Sequence, residues 1–206
     1  MIGVLDLGFA NIGSIVNMIE HVGGKSKIVN NGKNLTSCDK LILPGVGSFF
    51  MAMNILNKSG LVPHLNEFAL KKELPVLGIC LGMQLLFDHG SEGGDCSGLG
   101  WINGSVKKFD SSLIAEKGLA IPHMGWSSVV KTNSSPLFNN LEKSRFYHVH
   151  SYFVETDSKY VIGQSNHGIN FTSAVQNKNI YGVQFHPEKS HKYGIQMMKN
   201  FLEDCF

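Results

Sequence analysis

Cys80, set between two glycines, is the residue of this chain best placed for covalent chemistry. Gly78-Ile79-Cys80-Leu81-Gly82 follows the apolar run 75–79, which reads as a buried strand, and precedes a helical pattern expected to begin near Met83. The G-x-nucleophile-x-G spacing marks a strand-to-helix turn so tight that its central residue is held in a strained backbone conformation, with small flanking residues leaving room for it. Such a turn pushes the Cys80 sulfur outward at the carboxyl end of a strand, where open α/β sheets place their sites. A helix amino end behind the sulfur favours thiolate over thiol. A lone cysteine is most simply a buried packing residue; strand, elbow and helix together favour a nucleophile.

A nucleophilic thiol needs a base and a group that orients it. Of the nine histidines, His186 has the most suitable context, in Val183-Gln184-Phe185-His186-Pro187-Glu188. Pro187 biases His186 towards extended backbone. Residues i and i+2 of an extended segment face one side, which would put the Glu188 carboxylate beside the imidazole. A strand-end histidine in an ordinary polar turn has the same local sequence. His148 and His150, also two apart, form a competing pair and with His123 could supply three metal ligands, but no H-E-x-x-H or similar pattern accompanies them. Gly45-Val46-Gly47 after a strand could present backbone N–H groups to an oxyanion, with the N–H of Leu81 as a further donor. Gln84, one helical turn after Cys80, leans towards the same helix end.

The elements that must position these residues are short apolar strands alternating with helical patterns. Strands are expected at 2–7, 27–30, 40–43 and 75–79, and helices from about 13 to 21, 49 to 58 and 63 to 72. That alternation predicts an α/β fold with a mainly parallel sheet covered by helices on both faces. After about residue 100 the pattern changes to strands near 105–109, 127–131, 146–154, 160–166 and 180–185, closed by a helix over 193–203.

At 206 residues and 43% hydrophobic content the chain can bury one core, and residues 1–206 are read as one domain. Net charge is +2, and Arg145 is the one arginine, so the basic stripe of a nucleic-acid binder is missing. Cys38, Cys80, Cys96 and Cys205 make no C-x-x-C pair, which fits a reducing cytoplasm rather than a disulfide scaffold. The start runs straight into a strand with no basic region before it, unlike a signal peptide, and no apolar run approaches the roughly 20 residues of a membrane span. Neither nucleic acid nor membrane is an expected partner.

Gly78-Ile79-Cys80-Leu81-Gly82-Met83-Gln84 together with Gln184-Phe185-His186-Pro187-Glu188 resembles the class I, triad-type glutamine amidotransferases. Pro44-Gly45-Val46-Gly47, Pro122-His123-Met124-Gly125-Trp126, Val149-His150-Ser151-Tyr152 and His186-Pro187-Glu188-Lys189-Ser190 narrow the resemblance to the glutaminase subunits of imidazole glycerol phosphate synthases. It extends over nearly the whole chain, and although each motif is weak to moderate alone, five in order are specific.

The resemblance implies a flavodoxin-like class I amidotransferase fold and hydrolysis of L-glutamine to glutamate and ammonia, with no cofactor and no metal. It makes Cys80 the nucleophile that forms a thioester, His186 the proton carrier and Glu188 its orienter. Val46, Gly47 and Leu81 become oxyanion donors. Gln84 and Glu92 become substrate contacts, Glu92 for the α-amino group, and His150, Ser151 and Tyr152 the segment meeting the α-carboxylate end. It also implies a partner, a (β/α)₈-barrel cyclase subunit that receives the ammonia, with Asn11, Pro122, His123, Met124, Gly125, Trp126 and Lys189 at or near the contact. The loop 44–47 is the expected switch, with donors turned away until the partner engages. One stretch departs from that pattern: Asp6-Leu7-Gly8-Phe9-Ala10-Asn11-Ile12-Gly13-Ser14 lacks the usual tyrosine and arginine, which leaves open delivery of ammonia to a sugar-amidating enzyme. A free-standing cysteine hydrolase and a silent binding module on the same fold are the readings from other classes.

Overall fold

Short runs of isoleucine, leucine and valine bounded by glycine, proline or asparagine become strands here, because both of their faces can be covered. In a computed structural model describing residues 1–8 and 10–206, the first half runs β1 (Ile2–Leu5), α1 (Ile12–His21), β2 (Ser26–Val29), α2 (Gly32–Leu35), β3 (Lys40–Gly45), α3 (Phe49–Lys58), α4 (Val62–Asn66) and β4 (Val76–Cys80). Phe9, part of the first glycine-bearing turn, lies outside the described residues. Asn11 caps α1 by accepting the Ser14 N–H, and the helix closes where the Gly24 N–H donates to the Ile19 carbonyl at 2.8 Å, with Gly23 at φ 84°. Along β3, Leu41 and Leu43 enter one core cluster and Ile42 the other, so the sheet separates two cores.

The second half runs α5 (Leu81–Gln84), β5 (Phe87–Gly90), β6 (Cys96–Ser97), β7 (Ile102–Lys108), α6 (Ser111–Glu116), β8 (His123–Ser128), β9 (Val130–Lys131), β10 (Arg145–His150), β11 (Tyr152–Thr156), β12 (Val161–His167), β13 (Ile169–Asn177), β14 (Ile180–Val183) and α7 (His191–Glu203). The main sheet has the order β2-β1-β3-β4-β14-β13-β11-β7-β5-β6, with β12 and β9 attached through β13. From β2 to β14 neighbouring strands are parallel; β13, β11 and β7 continue antiparallel. A separate antiparallel ribbon joins β8 to β10.

The helix after the elbow starts at Leu81 rather than Met83 and lasts one turn, because Leu85, Leu86 and Phe87 turn back into the core and lead into β5. The expected strand 146–154 is two strands broken at Ser151, one in each sheet. Ile169–Asn177, the longest strand, was not expected: Thr172 and Ser173 interrupt its apolar run, yet both are buried.

Register fixes the site. Gly45 of β3 lies beside Cys80 of β4, while Gly182 and Val183 of β14 lie beside Gly78 and Ile79. Residues 46–48, 80–82 and 184–186 therefore leave the sheet together at its carboxyl end. The elbow glycines are required by close approach: a Cβ on Gly82 would fall 1.7 Å from the Leu43 carbonyl oxygen, and one on Gly78 2.6 Å from the Gly82 carbonyl oxygen. Both obstacles are backbone. We expect Gly82→Ala to cost about 3 kcal/mol, the upper end of ordinary overpacking, measurable as a lowered denaturant midpoint. An unchanged midpoint would show that α5 can lift off β3. Gly194 does the same for α7, since a Cβ there would lie 1.8 Å from the Pro187 carbonyl oxygen, so the helix can seat against the turn that carries Glu188.

Candidate active site

Cys80 sits at φ 55° and ψ −111°, a region that L-residues avoid and that costs on the order of 1–3 kcal/mol. The sheet on both sides of β4 holds it there. Its side chain faces a cleft of about 460 Å³ whose walls come from four parts of the fold. Val46, Gly47 and Ser48 follow β3; Leu81 and Gln84 lie on α5; Glu92 and Pro122 belong to loops; Val149, His150, Ser151 and Tyr152 span the break between β10 and β11. His186 closes the cleft beside Cys80.

His186 is pinned by its backbone. Its N–H donates to the Tyr147 carbonyl at 2.8 Å, joining the end of β14 to the β10 ribbon, and φ −104° with ψ 98° is the extended conformation that a residue before proline adopts. Nδ1 of His186 lies 2.7 Å from Oε1 of Glu188, with both side chains buried. The carboxylate can only accept, so Nδ1 carries the proton and Nε2 is left for chemistry in the cleft. Among the described residues Nε2 has no hydrogen-bond partner. Burial, the largest single influence on this imidazole, lowers its pKa, but Cys80 and then Glu188 together outweigh it and raise it to about 10. The site thus favours an imidazolium facing sulfur. With the helix behind Cys80 only one turn long, the imidazole is a stronger source of positive charge than the helix dipole.

Glu188→Gln keeps the shape and removes the charge, so the His186 pKa should fall from about 10. With the tautomer no longer enforced, turnover should drop by up to roughly 10⁴-fold, the effect of turning a triad carboxylate into an amide. Histidine NMR titration of the two proteins checks the first part and steady-state kinetics the second.

Gly47 has φ 101°, and among the described residues the N–H groups of Val46, Gly47 and Leu81 have no partner in a turn or loop. Gln84 is buried, its Nε2 donating to the Tyr152 carbonyl at 3.3 Å and to Oε1 of Gln184 at 3.0 Å. Burial raises the Glu92 pKa, against a backbone hydrogen bond from Phe49, and the Glu92 carbonyl accepts from the Phe50 N–H at 3.1 Å. That bond ties the Glu92 loop to the start of α3, just after the 46–48 loop. Pro122, Met124, Trp126, Lys189 and Asn11 are exposed and Gly125 is half-buried; Lys189 Nζ lies 5.9 Å above the Tyr147 ring and Trp126 stacks on His191.

His123 is a correction to the expected docking face. Alternation along β8 points Met124 and Trp126 outward and His123 inward. It packs against His148, His167 and His150 with ring centroids 4.2–5.2 Å away, among Phe109, Phe171 and Phe185. The candidate ligands His123, His148 and His150 do converge, but five of their six ring nitrogens are engaged in the protein: His148 Nδ1 with the Phe146 carbonyl, His150 Nδ1 with the Tyr152 carbonyl, and both of His123 with His150 Nε2 and Ser127, which leaves His148 Nε2 unpartnered among the described residues. Among the described residues no group of three or more histidines, cysteines or carboxylates is arranged to hold a metal ion. Two close neighbours of Cys80 carried no role in the sequence reading: the Val149 carbonyl, 4.0 Å from Sγ, and the Gln184 amide, 3.8 Å from it. Gln184 stands two residues before His186 at a strand end, so the same alternation that selects Glu188 points to it.

The pattern described as glutamine amidotransferase class-I matches residues 3–205. The chain is 46% identical over 203 residues to imidazole glycerol phosphate synthase subunit HisH of Leptospira borgpetersenii, covering 98% of each chain. It is 47% identical over 207 residues to subunit HisH 2 of Methanococcus maripaludis, covering 100% of each. A chain of the solved PurLQS structure from Thermotoga maritima superposes with a TM-score of 0.73 at 17% identity, covering 98% of this chain and 96% of that one, which is a likeness of fold.

Proposed function

The chain belongs to the class I glutamine amidotransferase family, and from that premise we propose that it is the glutaminase subunit of an imidazole glycerol phosphate synthase, working in histidine biosynthesis in the cytoplasm. The observation that carries the reading is the strained Cys80 facing His186, whose far nitrogen is held by Glu188 at 2.7 Å. Its relatives at 46–47% identity, matched over 98–100% of their length, favour that particular synthase.

In this mechanism the Cys80 thiolate attacks the side-chain amide carbon of glutamine. The oxyanion forms beside the N–H groups of Val46, Gly47 and Leu81. His186 gives its Nε2 proton to the departing nitrogen, so that ammonia leaves and a thioester remains. The neutral imidazole then takes a proton from water, the hydroxide opens the thioester, and glutamate departs with the thiolate restored. Gln84, Glu92 and the segment His150-Ser151-Tyr152 hold the amino-acid end of the substrate. Ammonia is mostly protonated in neutral water and then no longer a nucleophile, so the reaction is useful only beside an acceptor. We assign that acceptor to a (β/α)₈-barrel cyclase docked over Met124, Trp126, Pro122, Lys189 and Asn11, of which Met124 is 62% exposed and Trp126 37% exposed.

Glutaminase activity measured with and without the cyclase and its nucleotide ligand tests the assignment. Activity should be low in the isolated chain and rise when the partner engages, through the 44–47 loop. Full activity in the isolated chain, or indifference to every histidine-pathway cyclase, would contradict it.

A further inference from the structure

The side-chain amide of Gln184 lies 3.8 Å from the sulfur of the nucleophile. We propose that the side-chain amide of Gln184 donates to the Cys80 sulfur and favours its thiolate, and that Gln84 is the positioning residue that fixes this amide the right way round. The inference rests on reading Cys80 as the nucleophile, and it adds a group that tunes it.

The orientation follows from what each atom can do. The Tyr152 carbonyl is only an acceptor, and it takes a hydrogen bond from Nδ1 of His150 at 2.8 Å. The same carbonyl lies 3.3 Å from the Gln84 amide, which must therefore turn its NH₂ end towards it. That NH₂ is 3.0 Å from the Gln184 amide, which must then present oxygen. The NH₂ end of Gln184 is left facing Sγ at 3.8 Å. Flipping Gln184 alone would set two amino groups against each other, and flipping both amides would set the Gln84 oxygen against a carbonyl. Gln184 is completely buried and Gln84 nearly so, so water offers no alternative partner. His150 is itself anchored, its Nε2 accepting from Nδ1 of His123 and Nε2 of His123 accepting from the Ser127 hydroxyl.

The two protonation states of Cys80 have different partners. A thiol can donate to the Val149 carbonyl at 4.0 Å; a thiolate cannot, but it can accept from Gln184. A thiol sulfur accepts only weakly, so the bond from Gln184 is stronger to the charged form and favours it. The other titratable groups facing the sulfur are His186, with Glu188 behind it, and, on the walls of the same cleft, Glu92 and His150.

The test is the pH profile of Cys80 alkylation by iodoacetamide, which needs neither glutamine nor a partner. Gln184→Met keeps length and loses the donor; its profile should move to higher pH, with a rate roughly three- to tenfold lower below the midpoint, the worth of one net hydrogen bond, and the wild-type rate at high pH. Gln84→Met should move it the same way by less. A Gln184→Met profile superimposable on wild type overturns the proposal. If that variant does not fold, the unmutated protein decides: the Gln184 side-chain amide resonances should shift as the thiolate forms and should lose that shift in Cys80→Ala, and resonances indifferent to thiolate formation overturn the proposal. A displaced alkylation profile in a protein that hydrolyses no glutamine would support this assignment while removing the function proposed above.

Discussion

Cys80→Ala is expected to lower glutamine hydrolysis by at least about 10⁴-fold, because no other group can form the thioester and removing a covalent nucleophile is among the costliest single changes to an active site. The fold should persist. Alanine deletes one small buried sulfur and keeps the backbone strain at φ 55°, so stability should change by no more than about 1 kcal/mol. Two further readouts separate loss of chemistry from loss of structure. Synthesis by the cyclase partner from added ammonia should be unaffected, since that route bypasses Cys80. The His186 pKa should fall from about 10, because its interactions with the sulfur are gone while burial and Glu188 remain. Residual turnover within tenfold of wild type would place the nucleophile elsewhere.

The second large effect is on stability and comes from the buried histidines. Burial lowers His123 to about 4 and His148 to about 3 and holds His150 well below its ordinary value, and the repulsion that a second proton in the cluster would meet acts in the same direction. In the folded chain they stay neutral where the unfolded chain, near 6.5, is taking up protons. The unfolded state therefore binds more protons below pH 6.5, and stability falls as pH falls towards 4. Each such histidine contributes a slope of about 1.4 kcal/mol per pH unit, so two or three give about 3–4. Between pH 6.5 and 4 that slope removes about 7–10 kcal/mol, so a chain in the lower half of the typical range of about 5–15 kcal/mol should unfold between about pH 4 and 5.5. His186 acts at the other end: its raised pKa contributes stability that is complete below about 6.5 and lost as pH rises through about 10. Denaturant unfolding at several pH values measures the acid slope. His148→Phe should reduce it by about one histidine's share and cost little at neutral pH, since Nε2 of His148 is a buried acceptor without a partner among the described residues. A slope below about 1.4 kcal/mol per pH unit would mean that the cluster takes up protons while folded.

Much of this was legible in the sequence because it is local. The parallel half of the sheet follows from short apolar runs alternating with helical patterns, and the elbow glycines flank Cys80 at a spacing that only a tight turn requires. His186 and Glu188 are two residues apart in extended backbone and do share a face. Less legible were arrangements that depend on distant strands. β13 was hidden by buried Thr172, which pairs with β11 and β12, and buried Ser173, whose hydroxyl accepts from Ser165, so neither follows an apolar pattern. The histidine cluster gathers residues from β8, β10 and β12, and only strand pairing shows that His123 and His150 are opposite each other. The inward turn of His123, in a segment read as a docking face, became evident only with the strand alternation of β8. Gln184 was within reach, two residues before His186, but its role depends on Gln84 and Tyr152, which only the fold brings near.

Ammonia cut from glutamine at Cys80 is expected to pass directly to a partner. The most direct test supplies the reconstituted complex with glutamine carrying ¹⁵N in its side-chain amide, in an excess of unlabelled ammonia, and measures ¹⁵N in the cyclase product. Retention of the label despite the unlabelled pool is the predicted result. A product whose label follows the free ammonia in solution would contradict the claim.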